Sequence, residues 1–107
     1  MNSQEKANKI SEILDEKKAQ NISVVDLKGK SPIADYFVVA TGTSSTHINS
    51  LAGEVEEKMS ELEISVLSHE GEMGSAWQLL DYGDVIVHIF SEDSRNQYKL
   101  ESLWNRE

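Results

Sequence analysis

Apolar residues recur at helical spacing in two long stretches of the chain. From about residue 4 to residue 18, Ala7, Ile10, Ile13 and Leu14 share one face, which predicts an amphipathic helix that Asn21 stops. From residue 46 onward, Ile48, Leu51, Ala52, Val55, Met59 and Leu62 form a second stripe. Glu54, Glu56, Glu57, Lys58 and Glu61 lie off that stripe and are expected in solvent. Thr43 or Ser44 is placed to cap the free N–H groups at the start of this helix.

Between and after the helices the pattern changes to β-branched and aromatic runs. Residues 23–27 (SVVDL), 35–41 (DYFVVAT), 64–67, 76–81 and 85–90 (VIVHIF) read as strands. Lys28-Gly29-Lys30-Ser31-Pro32 is a loop, and residues 69–75 (HEGEMGS) form a second loop with two glycines. The last two strands make a hairpin around Tyr82-Gly83. VIVHIF is apolar on both faces except for His88, so it belongs at the centre of a sheet with helices covering both sides. Ser94 with Gln97 suggests a capping box for a final helix, which Tyr98, Leu103 and Trp104 would pack back on the sheet. The class is therefore α/β: a single domain over residues 1–107 with about five strands.

Composition narrows the setting. A balance of 38% hydrophobic and 27% charged residues is that of an ordinary globular domain. The absence of Cys excludes a disulfide framework and a cysteine metal site, and suits a reducing cytosol. No apolar run is long enough to span a bilayer, and the polar segment 1–9 does not read as a secretory signal. A cytoplasmic protein without a membrane is expected. The formal net charge of -9, with Lys17-Lys18 the only adjacent basic pair, argues against direct sequence-specific nucleic-acid binding and favours a basic protein partner. An acidic surface also serves solubility alone.

Several constellations bear on chemistry. Thr41-Gly42-Thr43-Ser44-Ser45 follows a strand and opens a helix, where backbone N–H groups can cradle a phosphate. A nucleotidyl-transfer site also needs paired metal-binding carboxylates, yet no acid follows until Glu54, and the P-loop lysine is missing. A capped strand-to-helix turn fits better. Asp81 and Asp84 flank the hairpin tip, where turn hydrogen bonding explains them better than a shared metal does. His88 reads as a satisfied core histidine, and the spacing of His47, His69 and His88 matches no zinc signature. Trp77, Met73 and Tyr82 would set large apolar groups at one end of the hairpin, with Trp77 leaning toward the core and Tyr82 toward exposure.

Three blocks together resemble the Iojap-like family of ribosomal silencing factors. The first is Asp35-Tyr36-Phe37-Val38-Val39-Ala40-Thr41-Gly42-Thr43-Ser44 with His47. The second is Glu70-Gly71, then Trp77, then Leu80-Asp81-Tyr82-Gly83-Asp84-Val85-Ile86-Val87-His88-Ile89-Phe90. The third is Arg95 followed by Tyr98, Leu100-Glu101 and Leu103-Trp104. The resemblance implies a mixed β-sheet covered by helices, distantly similar to nucleotidyltransferases, with no catalytic residue, metal or cofactor. It further implies binding to the ribosomal protein L-fourteen on the large ribosomal subunit. The bound factor would then sterically block joining of the small subunit and repress translation under nutrient limitation. The family's partner contacts, carried over by position, fall on Glu70, Met73, Trp77, Tyr82 and Asp84. A homodimer is a further association the resemblance allows. The rival class is a diverged nucleotidyltransferase-like enzyme using the Gly42–Ser45 turn with Asp81 and Asp84.

Overall fold

The computed structural model describes residues 1–71 and 75–98. In chain order the elements are α1 (Ser3–Glu16), β1 (Gln20–Asp26), β2 (Tyr36–Thr41), α2 (Ser45–Glu61), β3 (Ser68–Glu70), β4 (Trp77–Asp81), β5 (Val85–Phe90) and α3 (Glu92–Tyr98). The five strands form one mixed sheet in the order β1-β2-β5-β4-β3. β2 and β5 run parallel, and the other three pairings are antiparallel. The expected α/β class with a five-stranded mixed sheet is what the chain forms. β5 sits at the centre, and both β2 and β5 are buried along their whole length.

Local chemistry sets the boundaries. Asn2 caps α1 through a capping box, its side chain accepting from the Glu5 N–H at 2.8 Å while the Glu5 carboxylate accepts from the Asn2 N–H at 3.0 Å. The helix ends at Lys17, and Lys18 (φ 64°) turns the chain into β1. Asn21 does not stop the helix: it lies within β1, in the left-handed region (φ 48°), at the irregularity between Gln20 and Ser23. Ser44 is the cap of α2, its hydroxyl accepting from the His47 N–H at 3.0 Å. His47 Nδ1 accepts from the Thr43 N–H at 2.9 Å, so its Nε2 carries the hydrogen that meets the Lys17 carbonyl at 3.0 Å. That side chain ties the start of α2 to the end of α1.

The sheet has two packed faces. Ala7, Ile10, Ile13 and Leu14 of α1 and Ile48, Leu51, Val55 and Met59 of α2 cover one face, against Val38, Ala40, Val87 and Ile89. On the opposite face Phe37, Val39, Ile86 and Phe90 pack with Val25 and with Leu27 and Ala34 from the β1–β2 loop. Among the described residues this second layer takes no side chain from α1 or α2. Loop residues therefore do part of the covering that helices were expected to do.

Three sequence-based boundaries shift. Residues 64–67 are not a strand: Ile64 and Val66 tuck partly against the helix-side core, while Leu67 is 71% exposed. The strand is β3, Ser68–Glu70, exposed at all three positions, so His69 and Glu70 leave the expected loop. An edge strand with one face in water needs no apolar alternation and is hard to read from sequence. α3 starts at Glu92, and Ser91 rather than Ser94 supplies the capping hydroxyl, accepting from the Ser94 N–H at 3.2 Å. Residues 99–107, with Leu103 and Trp104, lie outside the described residues, as does Met73.

Candidate functional site

The hairpin register decides which side chains can act together. β4 pairs with β5 so that Trp77 lies opposite Phe90, Leu79 opposite His88 and Asp81 opposite Ile86. Side chains alternate along a strand, so Trp77, Leu79 and Asp81 share the face that carries Phe37, His88 and Phe90. The Trp77 indole is half-buried and stacks on Phe90 (centroids 5.3 Å, 27°) and on His88 (6.0 Å, 24°). Its Nε1–H donates to His88 Nδ1 at 3.3 Å. Phe37 meets the His88 ring edge-on at 4.8 Å. Burial pushes the His88 imidazole down to about 4, so the ring is neutral. Because Nδ1 accepts, the hydrogen is on Nε2, which is buried with no hydrogen-bond partner among the described residues.

Glu70 enters the same region from the edge strand. It lies opposite Leu79 in the β3–β4 ladder and is exposed. Gly71 follows with φ +100°, and a Cβ there would stand 2.6 Å from the Trp77 carbonyl oxygen. Glycine at this position lets the chain pass closely over the start of β4. Glu70, Gly71, Trp77 and Leu79 line a pocket of about 180 Å³. Its chemistry is an aromatic wall, an aliphatic floor and one carboxylate.

The other two expected contacts lie elsewhere. Trp77 and Tyr82 are at opposite ends of β4 and on opposite faces of the sheet, so the single aromatic end expected from the sequence does not form. Their environments are also reversed: Tyr82 is 5% exposed on the helix side, and Trp77 is the half-exposed member. The Tyr82 hydroxyl is buried without a hydrogen-bond partner among the described residues. Burial, and secondarily the Glu56 charge, push that phenol up to about 12. Asp84 stands at the hairpin tip, its carboxylate held by Lys6 at 2.7 Å. Its carbonyl accepts from the N–H groups of Asp35 (2.8 Å) and Tyr36 (3.2 Å), locking the tip to the start of β2. Asp81 plays the turn role, accepting from the Gly83 N–H at 2.7 Å. Sequence reasoning gave Lys6, Gly71 and Leu79 no place in this site; the period-two alternation through Trp77 is the signal that points to Leu79.

A polar seam runs behind β4. Glu56 of α2 meets His69 Nδ1 at 3.2 Å, His69 Nε2 meets the Gln78 carbonyl oxygen at 2.8 Å, and the Gln78 amide donates to Asn49 of α2 at 2.8 Å. This seam fixes the exposed edge strand against α2 and satisfies Gln78, which is 1% exposed.

The enzyme-like arrangement is not assembled. The Gly42–Ser45 turn follows the end of β2, beside Phe90 at the end of β5, where the Gly42 N–H donates to the Phe90 carbonyl. Asp84 precedes β5 and Asp81 ends β4 opposite Ile86, so both lie toward the other end of the strand, roughly 13–20 Å from Phe90 along it. Glycine is required at position 42 for packing, since a Cβ there would lie 2.6 Å from the Ile48 side chain.

Comparison with known proteins gives a consistent result. The chain matches, over residues 1–107, the family described as "Ribosomal silencing factor during starvation". It is 40% identical over 90 residues to the ribosomal silencing factor RsfS of Bacillus subtilis, which covers 84% of this chain and 76% of that protein. A crystal structure of a Chromobacterium violaceum protein superposes with a TM-score of 0.94 at 31% identity, covering 100% of this chain and 89% of that one. A more distant relative, 26% identical over 95 residues, is the mouse protein named mitochondrial assembly of ribosomal large subunit protein 1; the match covers 86% of this chain and 42% of that protein.

Proposed function

The chain belongs to the ribosomal silencing factor family, and we propose that it binds the large ribosomal subunit and prevents the small subunit from joining. The partner in this reading is the ribosomal protein L-fourteen, and the consequence is reduced translation under nutrient limitation. The action is steric, so no reacting group, metal or cofactor is required, and the protein works in the cytoplasm. The mouse relative's name supports the large subunit as the target.

The observation that carries the reading is the Trp77–Glu70 pair. A half-buried indole on a rigid strand, beside an exposed carboxylate, has the make-up of an interface anchor with a charged rim. The acidic surface of a chain with net charge -9 complements a basic ribosomal protein. Asp84 contributes from the hairpin tip, where its carboxylate is 38% exposed. Tyr82, buried beneath that tip, supports it from the helix side, and Met73 completes the set by sequence position.

Sedimentation of purified ribosomal subunits with the protein tests this. Co-migration with the large subunit and loss of joined ribosomes are expected; failure of both overturns the reading. Trp77→Ala should weaken large-subunit binding by about 2 kcal/mol or more while leaving the fold intact.

A further inference from the structure

We propose that His88 positions Trp77 for partner binding, its Nδ1 accepting the indole N–H while its ring, with that of Phe90, forms the bed on which the indole lies. This rests on the reading above in which Trp77 is an anchor.

Position 88 is a poor place for an imidazole if packing alone mattered. It lies in the middle of the central strand, between Ile86 and Phe90 in sequence and between Val39 and Leu79 in the flanking strands. The ring is 5% exposed and touches Phe37 edge-on. An apolar side chain would fill this space with no polar atom to satisfy. Histidine instead leaves Nε2–H buried and unpartnered among the described residues, which costs the desolvation of that donor. What it supplies in return is a fixed acceptor aimed at the Trp77 nitrogen.

That acceptor has a specific effect on Trp77. The χ2 torsion of an aromatic side chain is soft, with two broad wells, so stacking alone leaves an indole free to turn either edge outward. Hydrogen bonding of Nε1 at 3.3 Å selects one of the two. The edge presented to a partner is then set before binding, and the ordering cost is not met during association. The tautomer of His88 and the orientation of Trp77 define each other: a neutral ring with hydrogen on Nε2 is the form that accepts. The downward shift of the imidazole by burial keeps that form in place at neutral pH.

A structural and a positioning role differ in what His88→Phe does. If His88 only fills the core, His88→Phe should leave binding to large subunits unchanged. If it positions Trp77, His88→Phe keeps or raises stability toward urea, yet weakens large-subunit binding by about tenfold, the size of one lost hydrogen bond. His88→Gln, which offers an amide oxygen as acceptor, should recover most of that loss. The ¹⁵N-labelled Trp77 indole N–H resonance of the isolated protein should shift and broaden in His88→Phe, and in the parent should move as pH falls toward 4. Parent-like binding by a folded His88→Phe, or an indole resonance insensitive to both the substitution and acid, would overturn the proposal. Should His88→Phe not fold, His88→Gln and the parent's acid titration decide the matter by the same two readouts. A parent protein that does not bind large subunits at all would instead count against the function proposed above.

Discussion

Lys6 and Asp84, from the first helix and the last hairpin, meet at 2.7 Å and tie α1 to the tip between β4 and β5. The Lys6 side chain is 14% exposed and that of Asp84 38%. The two partners are therefore not equivalent. Asp84→Asn leaves a largely buried ammonium without its counter-charge and should cost about 1–2 kcal/mol in urea unfolding. Lys6→Met keeps the aliphatic stem and leaves the carboxylate facing water, so it should cost less. Large-subunit binding should split the other way, rising for Lys6→Met, whose Asp84 is released, and falling for Asp84→Asn. Equal changes in binding for the two variants would remove Asp84 from the interface.

Stability should depend on pH through His88. Its folded value of about 4 lies below the ordinary 6.5, so between these values the unfolded chain binds more protons than the folded one. The contribution is complete above pH 6.5 and is lost as pH falls toward 4, amounting to roughly 3 kcal/mol. Urea unfolding of the parent and of His88→Phe across this range, at micromolar concentration because the pI is near 4.7, isolates the effect as a difference. Parallel curves for the two proteins would assign the acid sensitivity to other groups.

Gly71→Ala tests the close passage beside Trp77. The substitution meets both a φ of +100° and a contact of 2.6 Å with the Trp77 carbonyl oxygen, which is backbone and cannot swing aside. A loss of about 1–3 kcal/mol is expected, with a changed Trp77 indole resonance. Gly29→Ala is the control: it carries a similar φ of +79° with nothing within 4 Å of the added Cβ, so it should show the backbone cost without the Trp77 change.

Much of the scaffold was legible because burial leaves periodic marks. The stripe Ile48, Leu51, Val55, Met59 and the doubly apolar VIVHIF gave α2 and the central strand. Leu62, on the same stripe, is 42% exposed, because the helix ends there and the chain turns away. The candidate site was less legible. Trp77 and Tyr82 are five positions apart, an odd number, which on a strand already means opposite faces. Reading them as one aromatic cluster put chemical similarity ahead of geometry. β3 left no mark because none of its three residues is apolar and all are exposed, with His69 held only by polar contacts to Glu56 and Gln78. Lys6 could not be linked to Asp84, since nothing local records a contact across most of the chain.

The parallel pairing of β2 with β5 has a consequence for how the chain reaches this state. Tyr36 finds Val85 about fifty positions away, whereas β4 meets β5 across a tight turn. Loop-closure entropy delays the first contact and barely affects the second. The hairpin that carries Trp77 can form early, but Phe37 reaches the His88 ring only when the central pair closes. A nascent chain would thus hold the elements of the proposed docking surface before it holds their final setting, and under that proposal competence to engage a ribosome would arrive with a late step of folding.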